Sequence, residues 1–369
     1  MIDDLTTDIP TATSPKGKAA REAKAPSETV QAQAQAEARA AAQRLIRQSA
    51  LEHGEKRDKL YEDHPVTKNE VAVATPPLKQ AYDTIQDVVV HRDPGTCLLG
   101  DFRAGKTTTI HRTVRQLNQT FPKLPVGIAM AKGHDAFTQG TFFSDLLQDF
   151  NHAGALRGTT QEKRARFLNM MIGQARQLSS DRYLLVVDEG QNWGEAQWTW
   201  LRDLANDLAN KQIRLITVTF GQTADLKKLR GLLIARSRTD LVGRFLLKPL
   251  VFSGLNDVHE LRETLQAYDD AGQSAYPMGT DISYTEFFMP QAFKGGWRLA
   301  DEAERIWDEF CKVAQRGGKV AGNIGMNWIG GALRNFLFSE SLKDGPGYAG
   351  TPDIWAVAVQ ASGYEATLF

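Results

Sequence analysis

The chain carries no excess of charge: Lys+Arg and Asp+Glu number 44 each. Bulk attraction to nucleic acid or to an acidic membrane is thereby excluded, and any such surface has to be a local patch. Cysteine is almost missing, with only Cys97 and Cys311. They lie far apart, and Cys97 falls on a predicted core strand, so a disulfide is not expected and a reducing cytoplasm fits. No apolar run approaches the ~20 residues needed to span a bilayer. The start, Met1-Ile2-Asp3-Asp4, lacks the basic and apolar regions of a secretory signal. There is no repeat of 20–50 residues. The seven histidines form no metal-ligand cluster in sequence.

What is present is Gly100-Asp101-Phe102-Arg103-Ala104-Gly105-Lys106-Thr107, a G-x-x-x-x-G-K-T loop. Its glycines let consecutive backbone N–H groups point at a polyphosphate. Lys106 reaches the β- and γ-phosphates, and the Thr107 hydroxyl can ligate Mg²⁺. The loop follows the short apolar run Thr96–Leu99. It opens a helical pattern with Ile110, Val114 and Leu117 on one face, whose positive dipole end adds to the same anion. Thr108 extends the phosphate contacts. The expected ligand is ATP with Mg²⁺.

Tyr183–Val187 is a continuous apolar run ending in Asp188-Glu189. Such a run predicts a parallel strand covered on both faces. At its carboxyl end Asp188 would hold the Mg²⁺ and Glu189 would polarise the attacking water. A glutamate directly after the aspartate favours a hydrolase. The next apolar strand, Ile213–Thr219, offers Thr219 as a polar sensor near the γ-phosphate, with Gln222 as the alternative. A helix over Ala224–Ala235 leads to Arg236, Arg238 and Arg244. An arginine just before the last strand, read as Phe245–Val251, can project into a neighbouring subunit's nucleotide. Arg244 is the first choice, followed by Arg236 and Arg238. Arg298, in Gly295-Gly296-Trp297-Arg298, opens a helix in a C-terminal lid and can fold back onto the γ-phosphate.

Together these parts resemble an AAA+ ATPase over about residues 70–315. The run Val187-Asp188-Glu189-Gly190-Gln191 and the placement of Gly243-Arg244-Phe245 are similar to the transposition ATPases of the TnsC/TniB group, relatives of the phage Mu transposition ATPase and the origin-recognition initiators. Gly221-Gln222-Thr223 departs from the turn expected after the sensor strand. The resemblance implies an α/β domain with a five-stranded parallel sheet in the order 5-1-4-3-2 and a small α-helical lid. It implies ATP held between subunits of a ring or helical filament on duplex DNA, with a transposase and a target-selector protein as partners. Replication initiation or helicase loading is the second reading. A monomeric P-loop kinase or signalling NTPase is the third.

Along the chain, residues 1–27 lack large apolar side chains and read as disordered. An alanine- and glutamine-rich helical stretch follows to about Leu60. The expected divisions are an N-terminal extension over 1–64, the nucleotide-binding domain over 65–252, the lid over 253–342 and a tail over 343–369. Val71–Pro77 stands where related ATPases contact the adenine. DNA contacts are expected from Lys132, His134, Lys163, Arg164 and Arg166, directed at phosphates and blind to sequence. The apolar tail, with Trp355, Tyr364 and Phe369, either docks on a partner or packs on its own lid.

Overall fold

The computed structural model describes residues 41–71, 73–101, 104–135 and 137–368. The N-terminal extension as far as residue 40 lies outside the described residues. So do Phe102, Arg103 and Phe369. The chain divides into two compact units, Met1–Ile46 and Arg47–Phe369. In the first, residues 41–46 are helical. The second holds everything that follows.

Helix α1 (Glu55–Asp63) leads by an irregular segment into α2 (Pro76–His91). Thr75 caps α2, its hydroxyl accepting from Leu78 N, and Pro76 and Pro77 occupy first-turn positions where no N–H is needed. Strand β1 (Gly95–Gly100) then feeds α3 (Lys106–Thr120). Strand β2 (Val126–Met130) is followed by α4 (Gln139–Asp149) and α5 (Thr160–Gln177), the latter opened by a capping box between Thr159 and Glu162. Next come β3 (Arg182–Asp188), α6 (Glu195–Asn210), β4 (Arg214–Gly221), α7 (Thr223–Ala235), α8 (Thr239–Phe245) and β5 (Leu250–Phe252).

All pairings are parallel, and the strands lie in the order β2-β3-β4-β1-β5, which is 5-1-4-3-2 read from the other edge. Side chains alternate across the sheet, as the pleat requires. Cys97, Leu99, Leu185 and Val187 face α4, α5 and α6 in one core. Leu98, Leu184, Val186, Ile216 and Val218 face α2 and α3 in the other. One expected element is different. The run Phe245–Val251 is not one strand: Phe245 ends α8 and only Leu250–Phe252 pairs, with β1. Pro249 has no N–H to give a ladder. Phe245 and Leu246 are instead buried in the α6-side core.

The main helices beyond the sheet are α9 (Val258–Asp269), α10 (Tyr284–Phe288), α11 (Ala303–Arg316), α12 (Met326–Glu340) and α13 (Ile354–Ser362). They share a third core built around Leu261, Phe287, Phe310, Phe336 and Leu337. Two segments from outside the expected lid join it. Ala50, Val66 and Val73 come from upstream of α2, and Trp355, Val359, Tyr364 and Leu368 from the tail. Trp355 stacks on Phe336 with ring centroids 4.0 Å apart. Two buried carboxylates pin the tail. Glu302 accepts from the indoles of Trp297 and Trp355, and Glu340 accepts from Tyr348, Thr351 and Lys343. Of the two fates expected for the tail, its described part takes the packing on its own lid.

His64 anchors the upstream segment. It is fully buried, with the rings of Tyr276, Phe287, Phe288 and Tyr284 at 4.4–4.9 Å. Its Nδ1 accepts from Val66 N at 3.0 Å, and Nε2 has no partner. Burial lowers its pKa to about 3. The unfolded chain, titrating near the ordinary ~6.5, therefore binds a proton that the folded chain does not. Stability should fall as pH drops from about 6.5 towards 3, by at most about 1.4 kcal/mol per pH unit from this group. Denaturant unfolding at stepped pH should show that slope reduced in His64→Phe. Equal slopes in the two proteins would refute the assignment.

Candidate nucleotide site

The loop closing β1 lies at the carboxyl edge of the sheet, between the neighbours β4 and β5. Gly105 takes φ +96° as the N-cap of α3, a left-handed conformation that an L side chain resists. This turn starts α3 directly on the loop, so its first N–H groups face the cavity. Lys106 is buried, and its Nζ donates to the carbonyls of Gly100 and Asp101 at 3.1 Å each. Ala104, Gly105, Lys106, Thr107 and Thr108 all line a cavity of about 360 Å³.

Asp188 stands at the end of β3, two strands from β1. It is 2% exposed. One carboxylate oxygen accepts from the Thr107 hydroxyl at 3.1 Å and the other from Glu189 N at 2.9 Å. Burial pushes its pKa above the usual carboxylate range, with the Glu189 charge adding to the rise, against the hydrogen bonds and the Lys106 charge. Glu189 is in the left-handed region, φ +53°, and lines the same cavity. Gln191 ties it down: its amide nitrogen donates to Glu189 while its carbonyl oxygen accepts from Gln222 N at 3.1 Å. Gln222 thus reaches the site through its backbone, joining the end of β4 to Glu189.

These donors suit a Mg²⁺–triphosphate. Mg²⁺ takes hard oxygen ligands, typically one or two from protein and the rest from phosphate and water. A hydroxyl and a carboxylate 3.1 Å apart beside the phosphate loop meet that demand. No group of three or more His, Cys, Asp or Glu among the described residues competes for the ion.

The cavity is also walled by Val66, Asn69, Val71, Val73, Thr75 and Pro77. Described members of the segment expected against the adenine are thus at the cavity. Two expected sensors are not. The Thr219 side chain is fully buried, and its hydroxyl donates to Phe245 O at 3.3 Å, away from the cavity. Its register explains this: Thr219 pairs with Val187, one residue short of Asp188, so the strand has not yet reached the edge. Arg298 donates to the carbonyls of Phe293 and Trp297, both at 2.8 Å, and its guanidinium lies 3.7 Å over the Phe293 ring. It closes its own turn. The lid contributes Tyr268, Met326, Asn327 and Gly330 to the cavity instead.

Arg244 donates to Asn206 at 2.8 Å. It lines a surface cavity with Arg92, Asp181 and Arg214, at the amino edge of the sheet, opposite the phosphate loop. Arg238 is held by Glu195, Asp240 and Thr199, and Arg236 by Glu195 alone, its side chain 66% exposed. Of the DNA candidates, Lys132 pairs with Asp149 at 3.1 Å and His134 with Asp145 at 2.7 Å. Arg164 pairs with Asp207, and Arg166 donates to the carbonyls of Gly154 and Arg157. Lys163 is half-buried on α5. Four of these five side chains are thus already engaged by partners within the protein.

Sequence reading missed Arg112, Tyr268 and the amino end of α12. Arg112 had a signal, since it lies one helical turn beyond Thr108 on the same face. The lid residues had none, because only the third core places them at the cavity.

Burying the Asp188 carboxylate carries a cost in folding. Asp188→Asn keeps an acceptor for Glu189 N and removes the buried charge. It should raise the calorimetric midpoint of the nucleotide-free protein by about 2 °C, near 1 kcal/mol for a chain of this size, and cut ATP turnover at least about 100-fold. A lower midpoint would mean that the hydrogen bonds outweigh the desolvation.

The family model described as an AAA domain matches residues 90–229. No curated protein matches the chain in sequence. Among solved structures, the ORC2 protein of Aeropyrum pernix, in ADPNP–ADP complexes, is similar with a TM-score of 0.50 and 12% identity, over 77% of this chain and 66% of that one. The chain therefore spans just under two thirds of that protein's length. Domain III of the Thermotoga maritima replication initiation protein DnaA gives 0.41 at 14% identity, over 80% and 96%. Drosophila ORC bound to DNA gives 0.41 at 11%, over 96% and 70%. At such identities the likeness concerns the fold alone, and the two scores below 0.5 bear no further weight. With the loop, the Asp-Glu strand end and the sheet order in place, the chain has the fold of an AAA+ ATPase domain, and the AAA-domain model matches residues 90–229 of it.

Proposed function

We propose that this protein is a nucleotide-gated assembly factor: it binds Mg²⁺–ATP, oligomerises on duplex DNA as a ring or filament, and is released by hydrolysis. The observation that carries the reading is the juxtaposition of Thr107, Asp188 and Glu189 at the carboxyl edge of the sheet. Lys106 neutralises phosphate charge, and the first N–H groups of α3 cradle the anion. Glu189 orients a water towards the γ-phosphate and accepts its proton. When bound, Mg²⁺ supplies further charge neutralisation through Thr107 and Asp188. Gln191 links Glu189 to the end of β4, so the water-activating group and the strand end move together. Arg236, the most exposed of the three candidate arginines by its ion pairing, is best placed to be lent to a neighbouring subunit, ahead of Arg244.

In the finer reading the assembly marks target DNA and recruits a transposase, supported by the Asp-Glu-x-Gln run that ends β3. The second reading, replication initiation or helicase loading, draws support from the likeness to ORC2. Both use the same gated assembly and differ in client.

Negative-stain imaging with a slowly hydrolysed ATP analogue, with and without linear duplex DNA, tests the common core. Regular rings or filaments are expected only with both. Glu189→Gln with ATP itself should give the same assemblies with hydrolysis slowed at least about 100-fold. Dispersed particles under every condition would sink the proposal.

A further inference from the structure

Arg112 lines the cavity that the phosphate loop opens and makes no ion pair among the described residues. It projects from α3, six residues beyond Lys106, which is about 9 Å along the helix axis, and one turn beyond Thr108 on the same face. It lines the same cavity as Lys106, Thr107 and Thr108. It is half-buried, and desolvation lowers its pKa. The groups that face it are the Tyr284 phenol from α10 and the Arg115 guanidinium on its own helix, and no carboxylate among the described residues acts on it. A partly desolvated guanidinium is costly unless its donors are used. Arg202, Arg236, Arg238 and Arg244, by contrast, are each tied to an acid or an amide.

It starts about 9 Å farther along the helix than Lys106, the residue of the β- and γ-phosphates. It shares the cavity with the apolar side chains of Val66, Val71, Val73 and Pro77, and with Tyr268 from the lid. That is an environment for a nucleoside, not for a polyphosphate. A guanidinium offers only donors and presents a flat face that stacks on aromatic rings. Purine ring nitrogens and ribose oxygens are acceptors, and a purine is a ring.

We propose that Arg112 grips the nucleoside half of the bound nucleotide, joining it to the phosphate-loop helix and opposing the wall made by residues 66–77. The proposal rests on the cavity being the nucleotide site. Titration calorimetry with two probes, ATP and inorganic tripolyphosphate, separates the two questions. In Arg112→Ala, ATP affinity should fall about 10–100-fold, the range for a hydrogen bond from a charged donor, with tripolyphosphate affinity within about twofold of the parent. Lys106→Ala should weaken both. Equal weakening of both probes by Arg112→Ala would overturn the proposal in favour of a phosphate contact. Unchanged ATP affinity would overturn it outright. If the parent bound neither probe, the reading of the cavity would fail, and the proposal with it. Arg112→Gln, which keeps a shorter neutral donor without the charge or the flat cation, gives the same comparison should the alanine variant not fold.

Discussion

Everything at the nucleotide site depends on keeping a carboxylate buried where a carboxylate is costly. Asp188 is nearly inaccessible and its pKa is raised by desolvation. It stays in place because two elements reach it. The Thr107 hydroxyl comes from the first turn of α3, and the Glu189 N–H from the turn after β3. These bonds fix the spacing between β1 and β3, whose ends are separated by β4. They also force Glu189 into the left-handed region, and that conformation presents its carboxylate to the cavity. The charge a folding protein would avoid is thus what sets the geometry of the catalytic edge.

The cavity is built from two cores rather than one. The α/β layers supply the phosphate end. A second wall is supplied by residues 66–77, whose inner side chains, Val66 and Val73, belong to the lid core. His64 is the anchor of that segment, held among four aromatic rings and neutral by burial. That wall of the cavity is therefore packed as part of the lid, while the phosphate loop belongs to the sheet.

The fold was readable where chemistry is local. The G-x-x-x-x-G-K-T loop, the Asp-Glu strand end and the apolar strands are short patterns whose partners lie within a few residues, and they led to the parallel sheet and to the Lys106, Thr107, Asp188, Glu189 site. Orientation was not readable. Thr219 and Arg298 have suitable side chains at plausible places, yet a one-residue register and a nearby carbonyl turned both away from the cavity. Phe245 read as strand because its run is apolar, and a helix end buries the same residue equally well. Lys132, His134 and Arg164 read as free cations because their acidic partners stand at least 11 residues away in sequence. The assignment of residues 50–73 to the lid depends on contacts with residues beyond 255, and no local pattern encodes it.

That last arrangement has a consequence for how the chain is made. The sheet cores draw on residues 81–252, a continuous stretch. The lid core joins Ala50 and Val66 to Phe336, Trp355 and Leu368, across some of the longest sequence separations in the described chain. During synthesis the α/β layers can consolidate while the aromatic cage for His64 does not yet exist. The segment bearing His64 must then wait as exposed apolar chain for the ribosome to finish more than two hundred further residues. The nascent protein therefore owns a phosphate loop long before the wall that faces it across the cavity can pack.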